Sequence, residues 1–210
     1  MNPIASVLVI AKQPLPGRVK TRLIGEFTPE EAAELAGAAL LDTLSALTDL
    51  PCDNRVLLLD GDPSGWVPPG WAVLAQADGG LDARLAAGFD AVPEAPAVLV
   101  GMDTPQLTSD QLSFDPSRYD ACLGMAPDGG FWAIGFADPR RARAVILGVA
   151  MSMPQTGADQ RRRLADAGMR VQLLPTLTDV DTPETARTVA LSSPHTRFAR
   201  QWRQFAQVRL

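Results

Sequence analysis

The sequence predicts an α/β fold built on one mixed, mainly parallel sheet, and three observations predict it. Short β-rich apolar runs alternate with helix-patterned stretches along most of the chain. The first run, ASVLVIA (5–11), is continuously apolar, as expected of a strand covered on both faces. Two late runs, FWAIGF (131–136) and MRVQLLP (169–175), lie between longer irregular pieces, which predicts a mixed rather than a purely parallel sheet.

Each element then has its own reason. TPEEAAELAGAALLDTLSAL (28–47) opens on Thr28, Pro29 and two acidic residues, a good helix start. RVLLLD (55–60) and WAVLAQ (71–76) read as the second and third strands, joined by a Gly/Pro/Trp-rich connection. LDARLAAGFDAV (81–92) reads as a helix, and APAVLVG (95–101) as a strand that runs straight into MDTPQL. TSDQL (108–112) starts a short helix, and YDACLG (119–124) and FWAIGF are two more strands. ADPRRARAVIL (137–147) and TGADQRRRLADAG (156–168) look helical; MRVQLLP is a last strand and TPETARTVALS (182–192) a further helix.

With 210 residues, 46% of them hydrophobic, and no internal repeat, the chain suits one core. The expected division is a domain over residues 1–193 and a C-terminal helical tail over 194–210. Within that tail RQWRQF (201–206) interleaves Arg with aromatics, as for an amphipathic helix docking on the core or a partner subunit. A homodimer is left open.

Composition removes several function classes. A net charge of -5 argues against nucleic-acid or anionic-membrane binding, which needs a positive footprint. No apolar run approaches the ~20 residues of a membrane helix. The start, MNPIASVLVIAKQP, has neither a basic region nor a small-residue cleavage site, so a cytoplasmic protein is expected. Cys52 and Cys122 are isolated and read as buried thiols. The one histidine, His195, rules out a multi-His metal site. Metal ligands and bases would then be carboxylates, which suit hard cations such as Mg²⁺ or Mn²⁺.

Ligands of such sheets collect at the carboxyl ends of the strands, and three motifs fall there. The first is AKQPLPGRVKTRL (11–23). Of nineteen Lys and Arg residues only two are Lys, and both, Lys12 and Lys20, lie in this stretch with Arg18 and Arg22. Lys offers a point charge, Arg a bidentate fork, and Gly17 lets the backbone bend, a combination suited to polyphosphate. The loop also runs toward the helical region, whose N-terminal end favours anions. A solvated loop that aids solubility is the plainer alternative.

The second motif is MDTPQL. Asp103 sits where a strand ends, either to hold a phosphate-bound Mg²⁺ or to make a local turn hydrogen bond. The third is DVDTPE (179–184), where Asp181 is a metal ligand or a helix cap and Asp179 a weaker candidate. APDGGFW (126–132) adds Asp128, as a base or acceptor-binding group or as a simple D-G hairpin turn. Phe131 and Trp132 would wall an acceptor pocket there.

Taken together, AKQPLPGRVKTRL, VGMDTPQLT (100–108), GMAPDGGFWAIGF (124–136) and DVDTPETA (179–186) resemble, in order, a family of bacterial nucleotide-diphospho-sugar transferases. That resemblance spans residues 5–190 and implies a single-domain, Rossmann-like GT-A fold with helices flanking the sheet. It implies a metal on Asp103, completed by Asp181. KTRL and GGLDARLAAG (79–88) are also similar to phospholactate guanylyltransferases, a likeness that turns Asp82 and Arg84 toward a nucleotide. Two departures stand out: Gly80 where Asp is usual, with Asp82 where Gly is, and Phe131 where Tyr is usual.

The leading expectation is a metal-dependent transferase using a nucleotide-activated donor, most simply a glycosyltransferase acting on a small-molecule acceptor. Asp103, Asp128 and Lys20 are its catalytic candidates. Lys12, Gly17, Arg18, Lys20, Arg22, Asp82 and Arg84 are its nucleotide- and phosphate-binding ones. Nucleotidyl transfer from an NTP to an acceptor phosphate, and a non-catalytic nucleotide-binding module, are the two alternatives.

Overall fold

The computed structural model describes residues 4–63 and 65–207. Its strands are β1 (Ser6–Lys12), β2 (Asn54–Asp60), β3 (Ala72–Ala75), β4 (Ala97–Gly101), β5 (Ala121–Met125), β6 (Phe131–Phe136) and β7 (Val171–Leu174). They form one sheet in the order β3-β2-β1-β4-β6-β5-β7. Strand β6 runs antiparallel to both neighbours. Every other adjacent pair is parallel, so the sheet is mixed as predicted.

Strand β1 lies at the centre of the parallel part, with β2 and β4 on its two sides. Val7, Leu8 and Val9 have no exposed surface, which is why this stretch carries no polar alternation. Val7 and Val9 face a core shared with Leu40 and Leu44 of helix α1 (Pro29–Thr48). Leu8 faces the other side, with Leu85 and Phe89 of α2 (Leu81–Asp90) and Ile146 of α3 (Ala142–Ile146). Leu164 of α4 (Thr156–Asp166) completes that second layer.

The helix starts follow their sequence signals. Thr28 accepts from the Glu31 amide while Glu31 accepts from the Thr28 amide, a capping box with Pro29 in the first turn. Thr182 caps α5 (Pro183–Ser192) by accepting from the Thr185 amide. Two predicted helices shrink. Residues 137–147 divide into a 3₁₀ turn, Pro139–Arg141, capped by Asp138, and the five-residue α3. TSDQL makes only the 3₁₀ turn Ser109–Leu112.

A third apolar cluster holds the last helix, α6 (Arg197–Gln207). Phe198 and Ala199 are fully buried beside Leu23, Phe27, Leu35 and Ala39, with Val180 and Val189 completing the group. The cluster therefore joins the two segments that flank the basic loop and the DVDTPE turn. Cys122 is buried and Cys52 half-buried, both free thiols. Among the described residues no helix is long and apolar enough to cross a membrane.

Candidate functional site

The basic loop is shaped by its proline and glycine. Arg18 N donates to Leu15 O at 3.0 Å, closing a turn over Pro16 and Gly17, whose φ of 72° suits the third position of a type II turn. Val19 and Leu23 are buried and anchor the second half of the loop to the core. Between them Lys20 takes a left-handed backbone conformation (φ 49°, ψ 38°), uncommon for a side-chain-bearing residue. Lys12, Arg18 and Arg22 are exposed, whereas the Lys20 side chain is turned inward and only 7% exposed. The helix N-terminus expected behind this loop is not there: a 3₁₀ turn, Thr21–Leu23, follows, and α1 begins later at Pro29.

Lys20 is where the three motifs meet. Its Nζ lies 2.7 Å from Asp103 Oδ1, just past β4, and donates a short hydrogen bond to Val180 O. Val180 N in turn donates to Asp103 O at 2.9 Å. Arg22 Nη1 donates to Asp181 Oδ2 at 2.5 Å. Segment 175–181 reaches these partners by crossing the ends of three strands. Trp132 Nε1 donates to Pro175 O at 3.0 Å, Leu177 N to Met125 O at 3.3 Å and Gln106 Nε2 to Thr178 O at 2.7 Å.

Negative charge is concentrated here. Asp179 has its carboxyl pushed up to about 7, first by burial and then by Asp103 and Asp128. Asp181 pushes the same way, and the Lys20 ammonium opposes them. Four carboxylates thus share one neighbourhood. Asp103 Oδ1 is buried and, despite its nearby ammonium, accepts no aligned hydrogen bond. The Thr104 hydroxyl and Gln106 Oε1, in the same turn, are also buried without a hydrogen-bond partner.

Asp128 lies at the open side of this neighbourhood, and the remaining sequence candidates lie elsewhere. Asp128 is exposed at the tip of the β5–β6 hairpin, where Oδ1 accepts from Gly130 N at 2.8 Å. That hairpin is clamped: a Cβ on Gly129 (φ 91°) would lie 1.8 Å from Pro154 O. Trp132 does not wall a pocket; it is 2% exposed and stacked over Gly124. Asp82 turns away from the basic loop, its Oδ2 accepting from Gly148 N at 2.9 Å, a bond that holds its carboxyl below the usual range. A Cβ at Gly80 would lie 2.6 Å from Asp82 Oδ1, so the two departures from the family pattern accommodate one another.

Arg84 is held by Gln76, which sequence reasoning passed over. Arg84 Nη1 donates to Gln76 Oε1 at 3.2 Å and lies 3.7 Å from Asp60 Oδ2. Gln76 Nε2 donates to Ala11 O at 2.7 Å and Leu58 O at 3.1 Å, tying β3 to the ends of β1 and β2. Its place as the last residue of a predicted strand, opening QADGGLDARL, was the available signal.

A cleft of about 50 Å³ opens beside the loop, lined by Lys12, Gln13, Leu15, Arg18 and Asp60. A larger one, about 280 Å³, lies at the amino ends of the parallel strands, floored by Phe89. Its arginines are already paired, Arg140 with Glu94 and Arg143 with Asp90. The smaller cleft has the better address, because open α/β sheets bind ligands at the carboxyl ends.

Among the described residues, no three His, Cys, Asp or Glu side chains are arranged to hold a metal ion by themselves. The site still fits a hard divalent cation. Mg²⁺ commonly binds through one or two carboxylates, with substrate phosphates and water supplying the rest. Asp103, with its buried and under-satisfied Oδ1, and Asp181 are the residues that would hold it.

Comparison with known proteins gives the same architecture. A family model described as "Uncharacterized protein conserved in bacteria (DUF2064)" matches residues 43–153. Searching the curated proteins finds no match. Among solved structures, a protein of Desulfovibrio desulfuricans G20, provisionally assigned as a nucleotide-diphospho-sugar transferase, superposes with a TM-score of 0.86. It is 25% identical, and the match covers 95% of this chain and 94% of that one. The 2-C-methyl-D-erythritol 4-phosphate cytidylyltransferase of Thermus thermophilus gives a TM-score of 0.54 at 20% identity, over 90% and 98% of the chains. CMP:2-keto-3-deoxy-manno-octonic acid synthetase, complexed with CTP, gives 0.58 at 14% identity, over 91% and 99%. These last two share the fold.

Proposed function

We propose, from the premise that this chain belongs to the bacterial DUF2064 family, that it is a metal-dependent transferase using a nucleotide-activated donor. Glycosyl transfer from a nucleotide-diphospho-sugar to a small acceptor is the reading the site supports best. One observation carries it: Lys20, Asp103 and Asp181, from three distant motifs, are bound into a single cluster at the carboxyl ends of β1 and β4. The likeness to the D. desulfuricans protein supports the same choice of donor.

The residues divide the work by position. Lys12 and Arg18, exposed at the small cleft, bind and orient the donor's phosphates. Asp103 and Asp181 hold Mg²⁺ or Mn²⁺. Once bound, that cation neutralises the charge growing on the diphosphate leaving group. Asp128, whose Oδ1 is used by Gly130 N, has Oδ2 left for the acceptor hydroxyl. It takes that proton while the acceptor oxygen bonds to the anomeric carbon and the bond from that carbon to the diphosphate oxygen breaks. Gln76 and Arg84 brace the edge where the base would sit.

Nucleotidyl transfer is the second reading, favoured by the density of cations in the loop, four within Lys12–Arg22. An acceptor phosphate would then attack the α-phosphorus of an NTP and release pyrophosphate. The cytidylyltransferase that shares the fold supports this choice. Incubation with a panel of nucleotide sugars and NTPs in Mg²⁺, followed by ³¹P NMR, separates the two. A nucleoside diphosphate appearing with the consumed sugar donor is the expected product. Pyrophosphate would transfer the assignment to nucleotidyl transfer, and no turnover with any donor would overturn both.

A further inference from the structure

The four cations of the basic loop fall into two pairs with different fates. Lys12 and Arg18 make no ion pair among the described residues and stand exposed beside the small cleft. Lys20 and Arg22 are each tied to one of the two carboxylates assigned above to the metal, Asp103 and Asp181. We propose that Lys20 and Arg22 are built-in counter-ions, which neutralise Asp103 and Asp181 before substrate arrives. They yield both carboxylates to the divalent cation only when nucleotide phosphates are present to receive them. The proposal rests on the metal-dependent reading and adds its regulation: metal and nucleotide bind as a coupled pair.

Three features of the loop lead to this. First, a divalent cation arriving alone must share Asp103 with an ammonium whose side chain is only 7% exposed. Displacing Lys20 without offering it another anion leaves a poorly solvated charge. Second, Lys20 is held in its left-handed conformation while bonded to Val180 O and paired with Asp103. Val180 O and Asp103 are therefore the two contacts that a phosphate has to replace before Asp103 is released. Third, Arg22 is tethered at one end only; its side chain is 73% exposed and can swing to a phosphate without disturbing the core.

The free pair sets the order. Phosphates land first on Lys12 and Arg18, where no bond has to break. The tied pair then exchanges carboxylate for phosphate, at which point Asp103 and Asp181 become available together. A coupling of this kind is reciprocal and typically amounts to roughly 5- to 150-fold in affinity.

The test reads binding rather than turnover. Mn²⁺ affinity is measured by electron paramagnetic resonance without phosphate, and the preformed Mg²⁺–tripolyphosphate complex is titrated by calorimetry. Wild type, Arg22→Gln, Lys20→Met and Arg18→Gln are compared. Arg22→Gln and Lys20→Met are expected to bind Mn²⁺ alone several-fold tighter than wild type, yet to bind the Mg²⁺–tripolyphosphate complex more weakly. Arg18→Gln should weaken the complex and leave Mn²⁺ affinity unchanged. Arg22→Gln, on an exposed side chain, keeps the test alive should Lys20→Met misfold. If both tied-pair variants bind Mn²⁺ no tighter than wild type, or Arg18→Gln tightens it equally, the exchange is wrong while the metal reading stands. If no protein binds Mn²⁺ and none binds the complex, the metal reading fails and takes the exchange with it.

Discussion

Asp42, on α1, accepts hydrogen bonds from the backbone amides of Arg197 and Phe198, at 3.0 and 2.8 Å, and so caps α6 from another helix. Its carboxylate is 9% exposed and sits against the positive end of α6, where a negative charge is favourable. The position could not be guessed from α1 alone, because an Asp in mid-helix normally looks outward. Asp42→Ala should cost about 0.5–2 kcal/mol, the usual worth of a lost cap. Thermal melting measures the loss. Limited proteolysis should find new cleavage around residues 193–207 in the variant, and an unchanged cleavage pattern would contradict the capping role.

Lys20 offers a test of backbone against side chain. Lys20→Ala and Lys20→Gly both remove the ammonium, but only glycine adopts φ 49° without a steric penalty. Lys20→Gly should therefore be more stable than Lys20→Ala by about 1 kcal/mol in chemical denaturation. Equal stabilities would mean that the loop relaxes once Asp103 is released.

Asp179 gives a pH dependence with a definite sign. In the folded protein its carboxyl keeps a proton up to about pH 7, against an ordinary value of 3.8. The native state therefore binds more protons than the unfolded chain between those two values, and stability declines as pH rises through that window. With a chelator present to remove metal, Asp179→Asn should melt progressively higher relative to wild type from about pH 4 to pH 7, with the gap then level. A gap that stays constant from pH 4 to pH 8 would remove the electrostatic account of this residue.

Asp103→Asn keeps the shape of the turn but not the charge. Turnover on whichever donor proves active should fall by about 10²–10³-fold, the scale of losing one charge-stabilising group. The melting temperature should fall as well, because Lys20 is left without its countercharge. Losing stability without losing turnover would show that Asp103 serves the fold alone.

Much of the architecture was legible in the sequence because local signals agreed with the final packing. The continuous apolar run of β1, the Thr28–Glu31 box and the Pro16–Gly17 turn each specify their conformation within a few residues. The positions of Asp103 and Asp181 at strand and helix ends were legible for the same reason. What could not be read were partnerships between distant segments. From the loop alone Lys20 reads as a phosphate ligand, whereas Val180, 160 residues away, accepts its hydrogen bond. Asp82 is engaged by a glycine amide 66 residues on. Trp132 looked like a pocket wall, but its indole fills the space left by Gly124, on the neighbouring strand. A long 137–147 helix failed for a local reason, since Asp138 and Pro139 start a tight turn that the longer pattern concealed.

The span between Lys20 and Val180 also bears on how the chain is made. Synthesis delivers the basic loop well before its partners on segment 175–181, with α6 later still. Strands β1 and β2 and helix α1 can pair while the ribosome is still adding residues, but the loop's cationic side chains must wait, exposed, for the acidic turn to emerge. Closure of the cluster thus has to follow the synthesis of segment 175–181. A chain stalled before residue 175 would hold the residues of β1 to β7 but not the Lys20–Val180 contact, so the sheet can precede the cluster but the cluster cannot precede this segment.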